Sequence, residues 1–175
     1  ISGGTTEWQT LTGSNLAADG HPVFSPDGTK LAFRAQRTPG YEAAKWDILV
    51  AECSADGNLT GTPVSLTSEV DLSFDEIVWR SNNQIIAAAE SNGLKALFSL
   101  SLDAPNIVER AQSVGTTSSL SISDDGNTLV CNSSRFTNPA EVCRIRLEDS
   151  FLRTKVPGDN LSHANDELLR QLNLP

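Results

Sequence analysis

The 175 residues of this chain predict an all-β fold, a partial β-propeller of four-stranded antiparallel blades, on three observations. One hairpin pattern, an apolar run, a tight turn and a second apolar run, occurs three times. Each copy is followed at a similar offset by a further extended run. The copies recur at intervals of about 55 and about 43 residues, near the roughly 40 to 50 residues of a four-stranded propeller blade.

Taken in order, Trp8-Gln9-Thr10-Leu11 has the pattern of the outer strand of a preceding blade. The first hairpin is Val23-Phe24-Ser25-Pro26-Asp27-Gly28 followed by Leu31-Ala32-Phe33, and the third is Leu120-Ser121-Ile122-Ser123-Asp124-Asp125-Gly126 followed by Leu129-Val130-Cys131. Between them Ile77-Val78-Trp79-Arg80-Ser81-Asn82-Asn83 runs into Ile85-Ile86-Ala87, with Asn-Asn where the others carry Asp-Gly. Both dipeptides suit a hairpin turn that demands positive φ, which glycine reaches freely and asparagine more readily than other residues.

Third strands are expected at Asp47-Ile48-Leu49-Val50, Ala96-Leu97-Phe98-Ser99-Leu100 and Val142-Cys143-Arg144-Ile145-Arg146-Leu147, the last two with clear alternation. Short fourth strands are expected at Pro63–Leu66, Asn106–Glu109 and Thr154–Val156. Beyond them the period changes: Leu168, Leu169 and Leu172 fall at helical spacing after a Ser162 cap, with Asp166 and Glu167 in the first turn. The organisation expected is about three complete blades over residues 1–162 and a short helical linker over 163–175. Three blades do not close a propeller, for which about four to eight are usual, so further blades are expected before residue 1. The chain starts at Ile1, contains no methionine and shows no signal or transit segment, and it reads as a piece of a longer protein.

Composition narrows the function. Hydrophobic residues at 38%, charged residues at 20% and a mean hydropathy of -0.22 are the balance of a soluble globular chain. No run approaches the roughly 18 apolar residues of a spanning helix, so no membrane partner is expected. Thirteen Lys and Arg against 22 Asp and Glu give a net charge of -9, which argues against nucleic acid because phosphate neutralisation needs a basic face. The acidic residues are scattered, the pattern of a solvated surface. Cys53, Cys131 and Cys143 follow no C-x-x-C spacing and have only His21 and His163 for company, so neither a metal site nor a cofactor is expected. Trp79, Phe24, Phe33 and Phe98 lie in expected strands and are assigned to the core between sheets.

Cys131 and Cys143 fall on the second and third strands of the last blade, where a cross-strand disulfide could form in an oxidising compartment. Three N-x-[ST] sequons, at Asn58, Asn132 and Asn160, point to the same compartment as candidate glycosylation sites.

The run His21-Pro22-Val23-Phe24-Ser25-Pro26-Asp27-Gly28-Thr29-Lys30-Leu31-Ala32-Phe33 resembles the blade repeat shared by TolB-like proteins and the prolyl oligopeptidase family of serine peptidases. Arg37-Thr38-Pro39-Gly40-Tyr41-Glu42 and Leu161-Ser162-His163-Ala164-Asn165-Asp166-Glu167-Leu168-Leu169 narrow the resemblance to the dipeptidyl-peptidase V and acylaminoacyl-peptidase branch. It covers nearly the whole chain, departing at Trp79–Asn83 and at Lys45-Trp46.

The resemblance implies a serine exopeptidase that removes dipeptides or acylated residues from peptide N-termini. Its catalytic serine, Asp and His would lie in an α/β-hydrolase domain outside these residues. No G-x-S-x-G occurs here and no catalytic residue is assigned. The propeller in such enzymes gates the active site and can present a carboxylate to a peptide's free amino terminus, a strong charge-assisted hydrogen bond in a sheltered cavity. Glu42 is the first candidate, with Tyr41 and Arg37 beside it to meet a backbone carbonyl or carboxylate; Glu90 and Arg135, in the equivalent loops, rank below. The partners implied are a peptide substrate and the hydrolase domain. The expected location is secreted or extracytoplasmic, with a cytoplasmic one left open by members of the wider family. A reading from another class, a non-catalytic TolB-like propeller that binds a protein, stays open beside it.

Overall fold

The computed structural model describes residues 9–148 and 150–172. The chain forms three consecutive four-stranded antiparallel sheets, blades of a partial β-propeller. The first blade is β1 (Asp19–Phe24), β2 (Lys30–Ala35), β3 (Asp47–Cys53) and β4 (Leu59–Ser65). The second is β5 (Phe74–Ser81), β6 (Gln84–Ser91), β7 (Leu94–Ser101) and β8 (Val108–Arg110), followed by the two-residue strand β9 (Gln112–Ser113). The third uses β10 (Thr116–Ile122), β11 (Thr128–Arg135) and β12 (Asn138–Arg146); after a 3-10 turn at Phe151–Arg153 come β13 (Lys155–Val156), β14 (Asp159–Asn160) and the helix α1 (Asp166–Gln171).

Side chains alternate across a strand, so a sheet covered on both faces must be apolar throughout. That is the state of the second blade. Ile85, Ala87 and Ala89 on β6 face the first blade, while Ile86 and Ala88 face the third, all fully buried. The first interface also takes Ala32, Ile48 and Val50 from the first blade, and Phe74 and Phe98, whose rings meet edge to face at 6.0 Å. Trp79 is buried there and its indole N–H donates to the Val23 carbonyl at 2.9 Å, so the largest aromatic also stitches two blades. Phe98 is buried between the blades as expected, whereas Phe33 is buried with Leu31 and Ala35 on the first blade's other face rather than between two described sheets.

Phe24 is not buried, and the register explains it. It pairs with Leu31 as Trp79 pairs with Ile85 and Ile122 with Leu129, so all three stand at one blade position. Trp79 and Ile122 are covered by the blade before them, whereas no described blade precedes the first, and Phe24 is 51% exposed.

The Asp-Gly turns form as expected, with Gly28 at φ 71° and Gly126 at φ 69°. In each, a serine three residues before the glycine organises the turn. Ser25 donates to Asp27 (2.7 Å) and accepts from the Lys30 N–H (2.9 Å); Ser123 repeats both bonds with Asp125 (2.5 Å) and Thr128 (3.0 Å). The Ser25 hydroxyl, with the Thr29 N–H and hydroxyl, holds the Asp27 carboxyl down at about 2. Asn82-Asn83 makes its two-residue turn without positive φ, and a register shift between Trp79 and Ser81 supplies the local twist instead. Positive φ falls one turn later, on Asn92 (54°) and Gly93 (74°), which join β6 to β7.

Three further expectations are corrected. The fourth strand of the last blade is β14, paired with β12 through Cys143↔Asn160 and Arg144↔Asp159. The segment expected there becomes β13, parallel to β9, tying the third blade's tail to the second blade's exit. Gly158 sets this: a Cβ there would lie 2.1 Å from the Arg144 carbonyl oxygen, so the chain can reach β12 only beyond this glycine. The helix is shorter than expected and begins after Asn165, because Ser162 bonds elsewhere and does not cap it. Of the outer strand expected at 8–11, Trp8 lies outside the described residues and Gln9–Leu11 form no strand.

The two Asp-Gly turns differ in one respect that can be measured. A Cβ on Gly28 meets nothing, whereas one on Gly126 would sit 2.1 Å from the Arg80 carbonyl oxygen of the second blade. Gly28→Ala is expected to cost the left-handed penalty alone, about 1–2 kcal/mol. Gly126→Ala should cost about 1–3 kcal/mol more, the range of overpacking, in urea unfolding. Equal losses would contradict the docking of this turn on the second blade.

Candidate functional site

The Arg37–Glu42 segment lies in the loop from β2 to β3, and its shape is set from beneath. Gln36, buried at the end of β2, donates its side-chain amide to the carbonyls of Glu42 (3.0 Å) and Ala44 (2.7 Å). Two consecutive turns follow, closed by Tyr41 N–H to the Thr38 carbonyl (3.4 Å) and Ala44 N–H to the Tyr41 carbonyl (3.0 Å), with Gly40 at φ 71°. The loop is thus closed onto one buried amide.

Its second anchor is Asp47, 1% exposed at the head of β3. A buried carboxylate needs charge and hydrogen bonds to offset lost hydration. Lys45 Nζ lies 2.8 Å from Oδ1, Thr67 donates its hydroxyl to the same oxygen (3.1 Å), and Arg37 Nε lies 2.9 Å from Oδ2, an ion pair without hydrogen-bond alignment. Lys45 also donates to the carbonyls of Thr67 (2.9 Å), Ser68 (3.3 Å) and Val70 (2.8 Å), so one ammonium joins this loop to the exit from the first blade.

The three sequence candidates are not brought together in one pocket. Arg37 lines a cleft of about 600 Å3 along the open face of the first blade, with Asn15, Asp19 and Gln36 at its polar end and Phe33, Leu49 and Leu59 along its apolar wall. Tyr41 and Glu42 stand exposed on the outer part of the loop, outside that cleft. Among the described residues the Glu42 carboxylate has no ion-pair partner, so it is open to a cation. Glu90 is exposed at the end of β6, and Arg135 lines a separate small cleft at the third blade. No cluster of metal-ligating side chains occurs among the described residues.

Two carboxylate systems escaped the sequence reading. Asp75 accepts from Arg34 (2.9 Å) and Lys95, and Lys95 lies 3.5 Å from Glu76, whose other oxygen accepts the Leu120 N–H (3.0 Å). The Arg34 guanidinium also lies 4.6 Å over the Trp46 ring. This network joins all three blades, and the Lys95 hydrogen bond, aided by the charges of Lys95 and Arg34, holds the Asp75 carboxyl below its usual range. Its charges are mutually satisfied, which leaves it little capacity for a ligand.

The other system is Glu141, buried on β12. It accepts from the Ser162 hydroxyl, the N–H groups of Ala164 (3.0 Å) and Asn165 (2.7 Å), and the Asn165 side chain (2.8 Å). One carboxylate therefore clamps the segment leading into α1. The Ser162 hydrogen bond, followed by those from Asn165 and Ala164, pushes its carboxyl down to about 2. No short-range sequence pattern signals this, since the partners lie more than twenty residues away. His163, at φ 50°, places Nδ1 3.0 Å from Asp166; His21, also at positive φ, occupies a register shift in β1.

All three sequon asparagines are partly buried. Asn58 donates to Asp56 (2.6 Å), Asn132 to Ser119 (3.2 Å), and the Asn160 side-chain oxygen accepts the N–H groups of Ser162 (3.1 Å) and His163 (3.2 Å).

No protein-family model matches the chain. It is 32% identical over 85 residues to dipeptidyl-peptidase 5 of Aspergillus oryzae, covering 49% of this chain and 11% of that protein. It is 32% identical over 126 residues to dipeptidyl-peptidase 5 of Trichophyton schoenleinii, covering 66% of this chain and 17% of that protein. The chain thus matches between 11% and 17% of the length of these relatives. Among solved structures, a puromycin-hydrolyzing peptidase of Mycobacterium tuberculosis superposes with a TM-score of 0.55 at 15% identity, over 76% of this chain and 20% of that one, a likeness of fold.

The Glu141 clamp makes a pH prediction with a definite sign. A carboxyl depressed in the folded state contributes stability above its unfolded value, here about 4.5, and that contribution is lost as pH falls through about 2. The backbone amide signals of Ala164 and Asn165 should titrate with a midpoint near 2. A midpoint in the ordinary carboxylate range would contradict the clamp. At neutral pH, Glu141→Gln should speed tryptic cleavage after Arg170 by roughly tenfold, as charged hydrogen bonds are lost.

Proposed function

We propose that this chain is the C-terminal part of the propeller of a serine exopeptidase that removes dipeptides or acylated residues from peptide N-termini. The observation that carries the reading is the 32% identity to dipeptidyl-peptidase 5 over 126 residues, within a chain built as three consecutive blades. Residues 1–162 are the blades and 163–175 the linker toward an α/β-hydrolase domain supplied elsewhere in the parent. Two features support this division. Phe24, at the blade position where Trp79 and Ile122 are covered by the blade before them, is half exposed as a residue that a preceding blade would cover, and the Glu141 clamp fixes the direction in which the linker leaves the last blade.

In this reading the propeller acts as a gate and recognition element, with the parent's serine, Asp and His carrying the chemistry. Glu42, an exposed carboxylate on a loop pinned by Gln36 and Asp47, receives the substrate's ammonium. Tyr41, beside it, offers a phenol to a peptide carbonyl. Arg37 keeps Nε on Asp47, and its terminal nitrogens remain to meet a carbonyl or carboxylate. The sequons at Asn58, Asn132 and Asn160 support a secreted or extracytoplasmic parent.

Fluorophosphonate labelling of the native protein that carries this chain, followed by intact mass, tests the reading. A labelled species far heavier than 18.7 kDa is expected, and an unlabelled species at 18.7 kDa would overturn it. In the labelled enzyme, Glu42→Gln should raise KM for substrates with a free amino terminus by roughly tenfold to a hundredfold, the loss of one charged hydrogen bond, and leave N-acylated substrates unchanged. An equal effect on both would remove Glu42 from amino-terminus recognition.

A further inference from the structure

Cys131 on β11 and Cys143 on β12 are direct register partners. Both side chains enter the core between the second and third blades, 1% and 4% exposed, and both are thiols in this structure. The bond from the Leu147 N–H to the Asn127 carbonyl, 2.9 Å, fixes the alternation of this ladder. Register is unbroken from Thr128↔Arg146 to Ser133↔Glu141, so the hydrogen-bonded pairs are Leu129/Ile145 and then Cys131/Cys143. Residues so paired have Cα atoms about 5.5 Å apart, inside the roughly 4.4–6.8 Å span of disulfides. Their Cβ atoms sit toward the wide end of about 4.5–5.5 Å, whereas a disulfide draws them to about 3.5–4.5 Å. A bond at this pair therefore closes with a small inward shift, and the resulting strain makes it more easily reduced.

Access to the two sulfurs is unequal. Cys143 lines a surface cleft of about 160 Å3 together with Ser133, Arg135, Glu141, Pro157 and Asn160; Cys131 does not line it. Burial pushes both thiols up, Cys131 to about 12, with Glu141 adding to the effect at Cys143 and Arg135 opposing it. Cys53 on β3 faces Leu59 across its ladder and has no cysteine opposite.

We propose that Cys131 and Cys143 form a reversible intramolecular disulfide, with Cys143 as the thiol that meets a low-molecular-weight disulfide such as oxidised glutathione. Cys143 Sγ gives up its proton and attacks one sulfur of the oxidant, forming a mixed disulfide and releasing one glutathione thiolate, which takes a proton. Cys131 Sγ, deprotonated in turn, attacks Cys143 Sγ; the Sγ–Sγ bond forms, the mixed disulfide breaks and the second glutathione leaves as a thiol. The two cysteines lose two electrons and two protons, and one oxidised glutathione becomes two reduced molecules. The bond joins the two middle strands of the last blade two residues from Glu141, which holds the linker. Oxidation therefore stiffens the strand from which the linker is clamped.

The test equilibrates the folded chain in glutathione buffers from oxidising to reducing, quenches with acid, alkylates in denaturant and maps the peptides without reduction. In excess oxidised glutathione a Cys131–Cys143 cross-linked peptide is expected with Cys53 outside it; in excess reduced glutathione both should return as alkylated thiols. Cys131→Ser should accumulate one glutathione on Cys143, and Cys143→Ser should leave Cys131 unmodified. Thiols at both positions in oxidising buffer, a cross-link through Cys53, or a cross-link that survives excess reduced glutathione in the folded chain would each overturn the proposal.

Discussion

The structure depends on sheet faces covering one another. A four-stranded sheet with two apolar faces has no stable existence in water until both are buried, and here the second blade achieves this by lying between the first and the third. Five consecutive residues of β6, Ile85 to Ala89, are fully buried because alternate members belong to different interfaces. The alanines among them keep the sheets close, and the bulk comes on one side from Trp79 and Phe98 on the flanking strands and Ile48 of the first blade, and on the other from Leu129 and Ile145 of the third. At roughly 25 cal/mol per Å2 of apolar surface, these two interfaces are the main favourable contribution to folding.

Polar groups then fix what apolar packing leaves free. Asp47 and Glu141 are both buried carboxylates, each held by groups from a segment that would otherwise be an unattached loop: Asp47 takes the Thr67 hydroxyl and the charges of Lys45 and Arg37, and Glu141 takes the donors that lead into α1. Asp47 holds the β2–β3 loop and the exit from the first blade, and Glu141 holds the approach to α1. Asp47 left unpaired would carry a desolvation penalty of several kcal/mol, and Glu141 ties its segment through four hydrogen bonds. The outer face of the last blade differs from the inner ones: Arg144 and Arg146 alternate with the buried Cys143 and Ile145, giving a polar surface where the first two blades present Ala32, Ile48, Ile86 and Leu97.

The repeat was legible because its signals are local. Ser25-Pro26-Asp27-Gly28 and Ser123-Asp124-Asp125-Gly126 encode their turns within a few residues, and alternation marks the strands on either side. What misled were positions decided by distant contacts. Phe24 reads as core because it is aromatic in a strand, yet its exposure depends on which blade stands before it. Lys155-Val156 has better strand propensity than Asp159-Asn160, but the close approach at Gly158 decides which of them reaches β12. Asn82-Asn83 resembles a positive-φ turn, and a register shift in β5 removes the need for one. Of the candidate site, the loop was visible in Arg37–Glu42, while the carboxylates that shape it and the linker were not, since their partners come from other strands.

Native-state hydrogen exchange measures the dependence of the blades on one another most directly. Amides whose exchange requires global unfolding mark the last structure to open, and peripheral elements exchange through smaller openings. Packing on both faces predicts that the slowest amides lie in β6 and β7 of the second blade, with β1, β4 and β14 exchanging sooner. Slowest exchange in the first or third blade, with β6 opening early, would contradict the account.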